Sequence, residues 1–125
     1  MTEKYLDLRD IGAYTIAFEL SNEVWNIVLK WDYFAKDTVG KQLVRAIDSI
    51  SANIAEGFGR YTKKDKVNFY RYSFGSIKES MDWVEKAKIR NLLSAEQYQS
   101  ITLKLSQLPR ELIYLIKFTN EKLSI

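Results

Sequence analysis

Arg45, Ser49, Asn53, Glu56 and Arg60 recur at steps of three and four residues, so in a helix they share one face. They bring guanidinium, hydroxyl, amide and carboxylate groups together. That set suits hydrogen bonding and anion contact rather than bond cleavage. Ile47, Ile50, Ile54 and Phe58 form an apolar stripe beside them at the same spacing. A polar stripe this regular, bordering a core stripe, is expected to be hydrogen-bonded and at least partly buried. It serves a bundle interior, a subunit contact or a ligand. A second set lies downstream, where Ser73, Ser76 and Ser80 share a face and Gly75 sits beside them. Glycine inside a helix costs about 1 kcal/mol relative to alanine, so Gly75 is expected to mark a close backbone contact, within the bundle or between subunits. Glu79 follows one turn later. It is either a partner of Arg45 or Asn53, since a buried carboxylate must be paired, or an ordinary exposed acid.

The chain has no histidine and no cysteine. The usual general base, the commonest metal ligand and thiol chemistry are therefore missing. Di-iron bundles need Glu-x-x-His pairs, which this sequence lacks, and Glu56 with Glu79 alone do not make a site. Gly57-Phe58-Gly59 is too short for a phosphate loop and reads as a helix stop with a turn. No catalytic residue, metal or cofactor is expected.

Net charge is +3 over 125 residues, but it is unevenly placed. The window Lys36–Arg71 carries +4 and the remainder −1. Lys41, Arg45, Arg60, Lys63, Lys64, Lys66 and Arg71 are the candidate nucleic-acid contacts. Arg60 and the three lysines cluster at a turn and helix N-terminus, where free N–H groups and the dipole favour phosphate. The plainer alternative is a solvated face. Tyr61, Phe69, Tyr70, Tyr72 and Phe74 interleave with these cations, and rings stack on unpaired bases. Tyr70 and Phe74 fall on an apolar stripe and belong to the core, and Phe69 packs at a helix edge. That leaves Tyr61 and Tyr72 to stack.

Four amphipathic segments must position these groups. The first covers 11–34, with Ala17, Leu20, Val24, Ile27, Trp31 and Phe34 as its core stripe, widened by Phe18, Trp25 and Val28. The second covers 38–59, with Asp37 as N-cap. The third covers 63–91, with Thr62 and Asp65 resembling a capping box and Val67, Tyr70, Phe74, Ile77, Met81 and Val84 facing inward. The fourth covers 94–122, opening on a Ser94/Gln97 box and kinked by Pro109 near Leu105. Short connections make sequential helices antiparallel neighbours. The expected fold is all-α, a single-domain, up-down-up-down four-helix bundle over residues 1–125. Met1–Asp10 has no signal-peptide h-region and no apolar run reaches membrane-spanning length, so a cytoplasmic protein is expected.

The run Gln42–Gly57, containing Asn53-Ile54-Ala55-Glu56-Gly57, resembles the signature of the bacterial four-helix-bundle family of 23S rRNA intervening-sequence proteins. Phe69–Glu79, with Gly75-Ser76-x-x-Glu79, resembles that family's second block. The resemblance extends from Phe18-Glu19-Leu20 and Val24-Trp25 to the leucine-rich last helix. Ser51 stands where the family usually carries proline, which implies a straighter second helix. The resemblance implies a homopentameric ring of bundles, encoded within or related to insertions in large-subunit rRNA genes. It also implies kinship with the accessory variability protein of diversity-generating retroelements, which binds nucleic acid and a reverse transcriptase through a basic pentamer surface. Five copies at +3 carry +15, and phosphate contacts then add around the ring.

The reading that follows is a non-enzymatic homo-oligomer, pentameric by resemblance, with low-specificity binding of nucleic acid, structured RNA above all. The alternative is a homo-oligomeric scaffold that binds a protein partner and no nucleic acid.

Overall fold

The computed structural model describes residues 7–123, so the reading of the first six residues lies outside it. A short 3-10 turn, Leu8–Asp10, leads into α1 (Gly12–Val28). Then come α2 (Tyr33–Ala35), a π turn at Lys36–Gly40, α3 (Lys41–Gly59), α4 (Lys63–Ile89) and α5 (Ala95–Lys122). The four long helices form a bundle. α3 packs on α1 and α4, and α5 closes it by packing on α4 and α1. Leu20 and Val24, Leu43, Ile47, Ile50 and Ile54, Tyr70 and Ile77, and Ile101, Leu105, Leu108 and Leu112 fill the centre. Those are the stripes the period-3.6 pattern marks.

Several local features follow from capping chemistry. Thr62 accepts from the Asp65 amide, and Ser94 and Gln97 form a reciprocal box. α4 ends in a Schellman motif. Asn91 takes φ 60°, Asn91 N–H donates to Lys88 O, and Leu92 N–H donates to Ala87 O. Asparagine tolerates that left-handed conformation better than most residues. α3 runs unbroken through Ser51, and α5 continues through Pro109.

The first connection differs from expectation. α1 stops at Val28 rather than running to residue 34, and Asp32, not Asp37, is the N-cap. Its carboxylate accepts from Ala35 N–H at 2.9 Å. Asp37 instead pairs with Lys41 one turn on, at 3.5 Å. The next helix therefore begins earlier and passes through a π turn. Gly40 makes that turn possible, because a Cβ there would lie 2.7 Å from Val28 Cγ1 and 3.3 Å from Ala35 O. With the chain reversed at Leu29–Asp32, Phe34 leaves the α1 stripe and is 76% exposed. Met81 is also exposed, because the buried face of α4 is centred on Ser73, Ile77, Ser80 and Val84. Asp32→Ala is expected to cost about 1 kcal/mol, and Asp37→Ala a few tenths. Equal losses in urea unfolding would contradict this placement of the cap.

Candidate nucleic-acid interface

The polar stripe of α3 bonds within its own helix. Ser49 Oγ donates to Arg45 O at 2.8 Å, Asn53 Nδ2 donates to Ser49 O at 2.9 Å, and Arg60 pairs with Glu56 at 3.3 Å. Glu56 and Glu79 are both exposed and Asn53 is half-buried. The expected interhelical lock, with Glu79 or Arg45 as a member, is therefore not formed within one chain. The stripe sits on the outer edge of α3, rotated away from the core stripe. Small residues make the α3–α4 joint instead. Ser73, fully buried, donates to Ile50 O at 2.9 Å, and Ser80 donates to Ser76 O at 2.7 Å. Gly57 is the close-contact glycine. A Cβ there would fall 2.7 Å from Tyr70 Cε1 and 2.9 Å from Lys66 O. Gly75 faces open space with nothing near it in the chain, which excludes the expected contact inside the bundle.

The seven candidate cations separate into two groups. Lys63 Nζ donates to Asn120 O at 3.1 Å and Lys66 Nζ donates to Phe58 O at 2.7 Å. Both acceptors are carbonyls in the last turn of a helix, where cations are favoured by the dipole. Burial lowers the Lys66 pKa. These two lysines thus tie helix ends together. Arg60, besides pairing with Glu56, lies 4.6 Å over the Phe69 ring, and Lys41 is paired with Asp37. Arg45, Lys64 and Arg71 are exposed and have no ion-pair partner among the described residues. Lys78, Arg110 and Lys117 share that condition, though the motif-centred reading did not single them out. The seven-residue step from Lys64 to Arg71 to Lys78 was the available signal.

Among the aromatics, Tyr70 is buried and Phe74 half-buried, while Tyr61 and Tyr72 are exposed. Phe69 meets Tyr72 edge-on at 5.4 Å.

On the other side of α3, a groove of about 580 Å³ runs against α1. Trp25, Val28 and Leu29 wall it, Val44 and Ala52 lie along α3, and Lys36, Lys41 and Arg45 rim it. A smaller hollow continues it past Phe18 and Tyr14. Phe18 and Trp25 are each about half exposed, at 50% and 53%.

Among the described residues no cluster of carboxylates could hold a metal ion, and no helix is long and apolar enough to cross a membrane.

The fold is shared with the crystal structure of a protein of unknown function from the S23 ribosomal protein family of Bacteroides thetaiotaomicron. The TM-score is 0.74 at 24% identity, over 84% of this chain and 98% of that one. No curated protein matches the chain significantly. The 23S rRNA-intervening sequence protein model matches residues 9–114, a span that takes in both motif blocks, the whole of α1, α3 and α4 and α5 as far as Tyr114; the chain belongs to that family.

Proposed function

We propose that this protein is a non-enzymatic homo-oligomer, with a pentamer preferred, that binds nucleic acid through its phosphates with little sequence selectivity. Structured RNA is the favoured ligand. The observation that carries this reading is the set of exposed arginines and lysines, Arg45, Lys64 and Arg71 among them, that have no carboxylate partner among the described residues. Lysine and arginine contacts to phosphate supply affinity without base information. One copy at +3 is an indifferent binder, and repetition in an oligomer multiplies the contacts. On this reading the protein works in the cytoplasm, and its gene lies in or beside an rRNA intervening sequence or a retroelement. The flanking genes decide between those two.

The subunit contact in this reading is the α1–α3 groove, occupied by a second copy. Its wall presents Trp25 and Leu29, the adjoining hollow adds Phe18, and its cationic rim, interrupted by Asp48, has a counterpart in Glu79, Asp82 and Glu85 on α4. Joining two different patches gives a heterologous contact, the kind that closes into rings. Trp25→Glu is expected to reduce the mass found by light scattering to that of a monomer, with the helical spectrum retained. A wild-type monomer at micromolar concentration would exclude the oligomer.

The same groove favours a second reading, a scaffold that docks a protein partner without nucleic acid. Anisotropy titration of the wild type with labelled RNA separates the two. Tight binding that weakens steeply between about 50 and 200 mM salt is expected of the first. No binding at low salt would leave the scaffold.

A further inference from the structure

Lys64, Arg71 and Lys78 stand seven residues apart on the exposed face of α4, and Arg110 and Lys117 seven apart on the exposed face of α5. A seven-residue step keeps side chains nearly in line along a helix. The two helices are antiparallel neighbours whose register is fixed at both ends. Lys63 reaches Asn120 O, and Tyr98 hydroxyl bonds Glu85. That register brings Lys117 level with the interval between Lys64 and Arg71. It brings Arg110 level with the interval between Arg71 and Lys78. The five cations therefore alternate between two helices whose axes lie about 8–10 Å apart. Fourteen residues at about 1.5 Å rise make the zigzag about 21 Å long.

None of the five has a carboxylate partner among the described residues, whereas Arg9, Lys41, Arg60, Lys86 and Lys104 each have one within 4.0 Å. The surrounding sequence has the same bias. No acid occurs from Lys66 to Lys78 or from Leu112 to Asn120. Asp65 and Glu121 stand at one end, Glu79 and Asp82, the latter paired with Lys86, stand at the other, and Glu111, next to Arg110, has its carboxylate against Gly12 on α1. The five side chains are exposed and make no hydrogen bond or ion pair among the described residues, so no contact there assigns their charges to folding. Like charges so arranged repel one another and call for a polyanion.

Resting on the nucleic-acid reading above, we propose that the outer face of α4 and α5 is the track that carries the phosphodiester backbone. Lys64, Lys117, Arg71, Arg110 and Lys78 contact it in that order. The turn around Lys63 and Lys66 is a structural tie, outside the track. A track of about 21 Å matches about six base pairs of a duplex measured along its axis, at about 3.4 Å each. It lies across the bundle from the α1–α3 groove, and subunit contact there leaves Lys64, Lys117 and Arg71 open, whereas the α4 acids that meet a neighbouring groove adjoin its Lys78 end.

The test compares two triple variants with the wild type, using a labelled RNA duplex and a DNA duplex of the same sequence. Lys78→Gln/Arg110→Gln/Lys117→Gln removes three cations of the track. Lys41→Gln/Arg45→Gln/Arg60→Gln removes three cations along α3. Circular dichroism and light scattering confirm that each variant keeps its fold and mass; the single Lys78→Gln and Arg110→Gln variants serve if a triple does not. The track variant is expected to lose at least about tenfold in affinity at about 50 mM salt. The slope of log K against log salt should become shallower by about 2–3, close to 0.9 per lost contact. The α3 variant should lose less than the track variant, because Lys41 and Arg60 are already paired and Arg45 supplies a single contact outside the track. Equal losses on RNA and DNA support a track for either backbone, and loss on RNA alone, with no wild-type affinity for DNA, supports an RNA track. A track variant that binds like the wild type while the α3 variant loses affinity would overturn this face and leave the nucleic-acid reading standing. A wild type that binds neither duplex would overturn both.

Discussion

Gly57→Ala is expected to destabilise the protein by about 1–3 kcal/mol, and Gly75→Ala to leave the isolated fold as stable or slightly more so. Both glycines sit inside helices, so alanine gains up to about 1 kcal/mol of helix propensity at each. The difference lies in what the new methyl group meets. At Gly57 it falls 2.7 Å from Tyr70 Cε1 and 2.9 Å from the Lys66 carbonyl oxygen. The first neighbour is a ring buried among core residues and the second is backbone, so neither yields without moving α4 off α3. Overpacking of this kind typically costs 1–3 kcal/mol or more. At roughly 4 °C per kcal/mol for a chain of this length, the loss reads as a drop of several degrees in melting temperature. At Gly75 the methyl enters open space. A Gly57→Ala variant that melts with the wild type would show that the α3–α4 contact is looser than described. If Gly75→Ala leaves the melting of the chain intact yet lowers the oligomer mass, Gly75 belongs to a subunit contact.

Stability should fall at alkaline pH through Tyr70, and Tyr70→Phe should remove that loss. Burial in the core pushes the Tyr70 phenol up to about 12, with the nearby Thr119 hydroxyl opposing the shift. In the unfolded chain the phenol titrates near 10. The folded state therefore holds its proton through a range where the unfolded state releases it. The contribution is fully present below pH 10 and is lost as pH rises from about 10 to about 12. Two pH units correspond to about 2–3 kcal/mol. Tyr70→Phe removes the titrating group, and its stability should then decline less steeply than the wild type's above pH 10. Parallel curves from urea unfolding at pH 8 to 11 would contradict the assignment.

The sequence by itself determined the helical class, the number of long helices, their inward stripes apart from Phe34 and Met81, and the boundaries outside the first connection. Each depends on residues close together in the chain. Ile47, Ile50 and Ile54 declare a face by spacing alone, and Thr62/Asp65 and Ser94/Gln97 cap by contacts three residues away. The family was legible for the same reason, since both motif blocks are contiguous runs. The first connection was misread because Asp32 and Asp37 are equally good caps locally. What selects Asp32 is the packing of Gly40 against Val28, a contact between helices. The site divides in the same way. A cation's type is in the sequence, but its availability depends on partners far along the chain. Lys63 is taken by Asn120 O and Lys104 by Glu23, while Lys78, Arg110 and Lys117 have no ion-pair partner among the described residues. The polar stripe of Arg45, Ser49, Asn53 and Glu56 has the spacing of a buried network. Which way that face points depends on how α3 is rotated against α1 and α4, and the apolar stripe and Gly57 set that rotation.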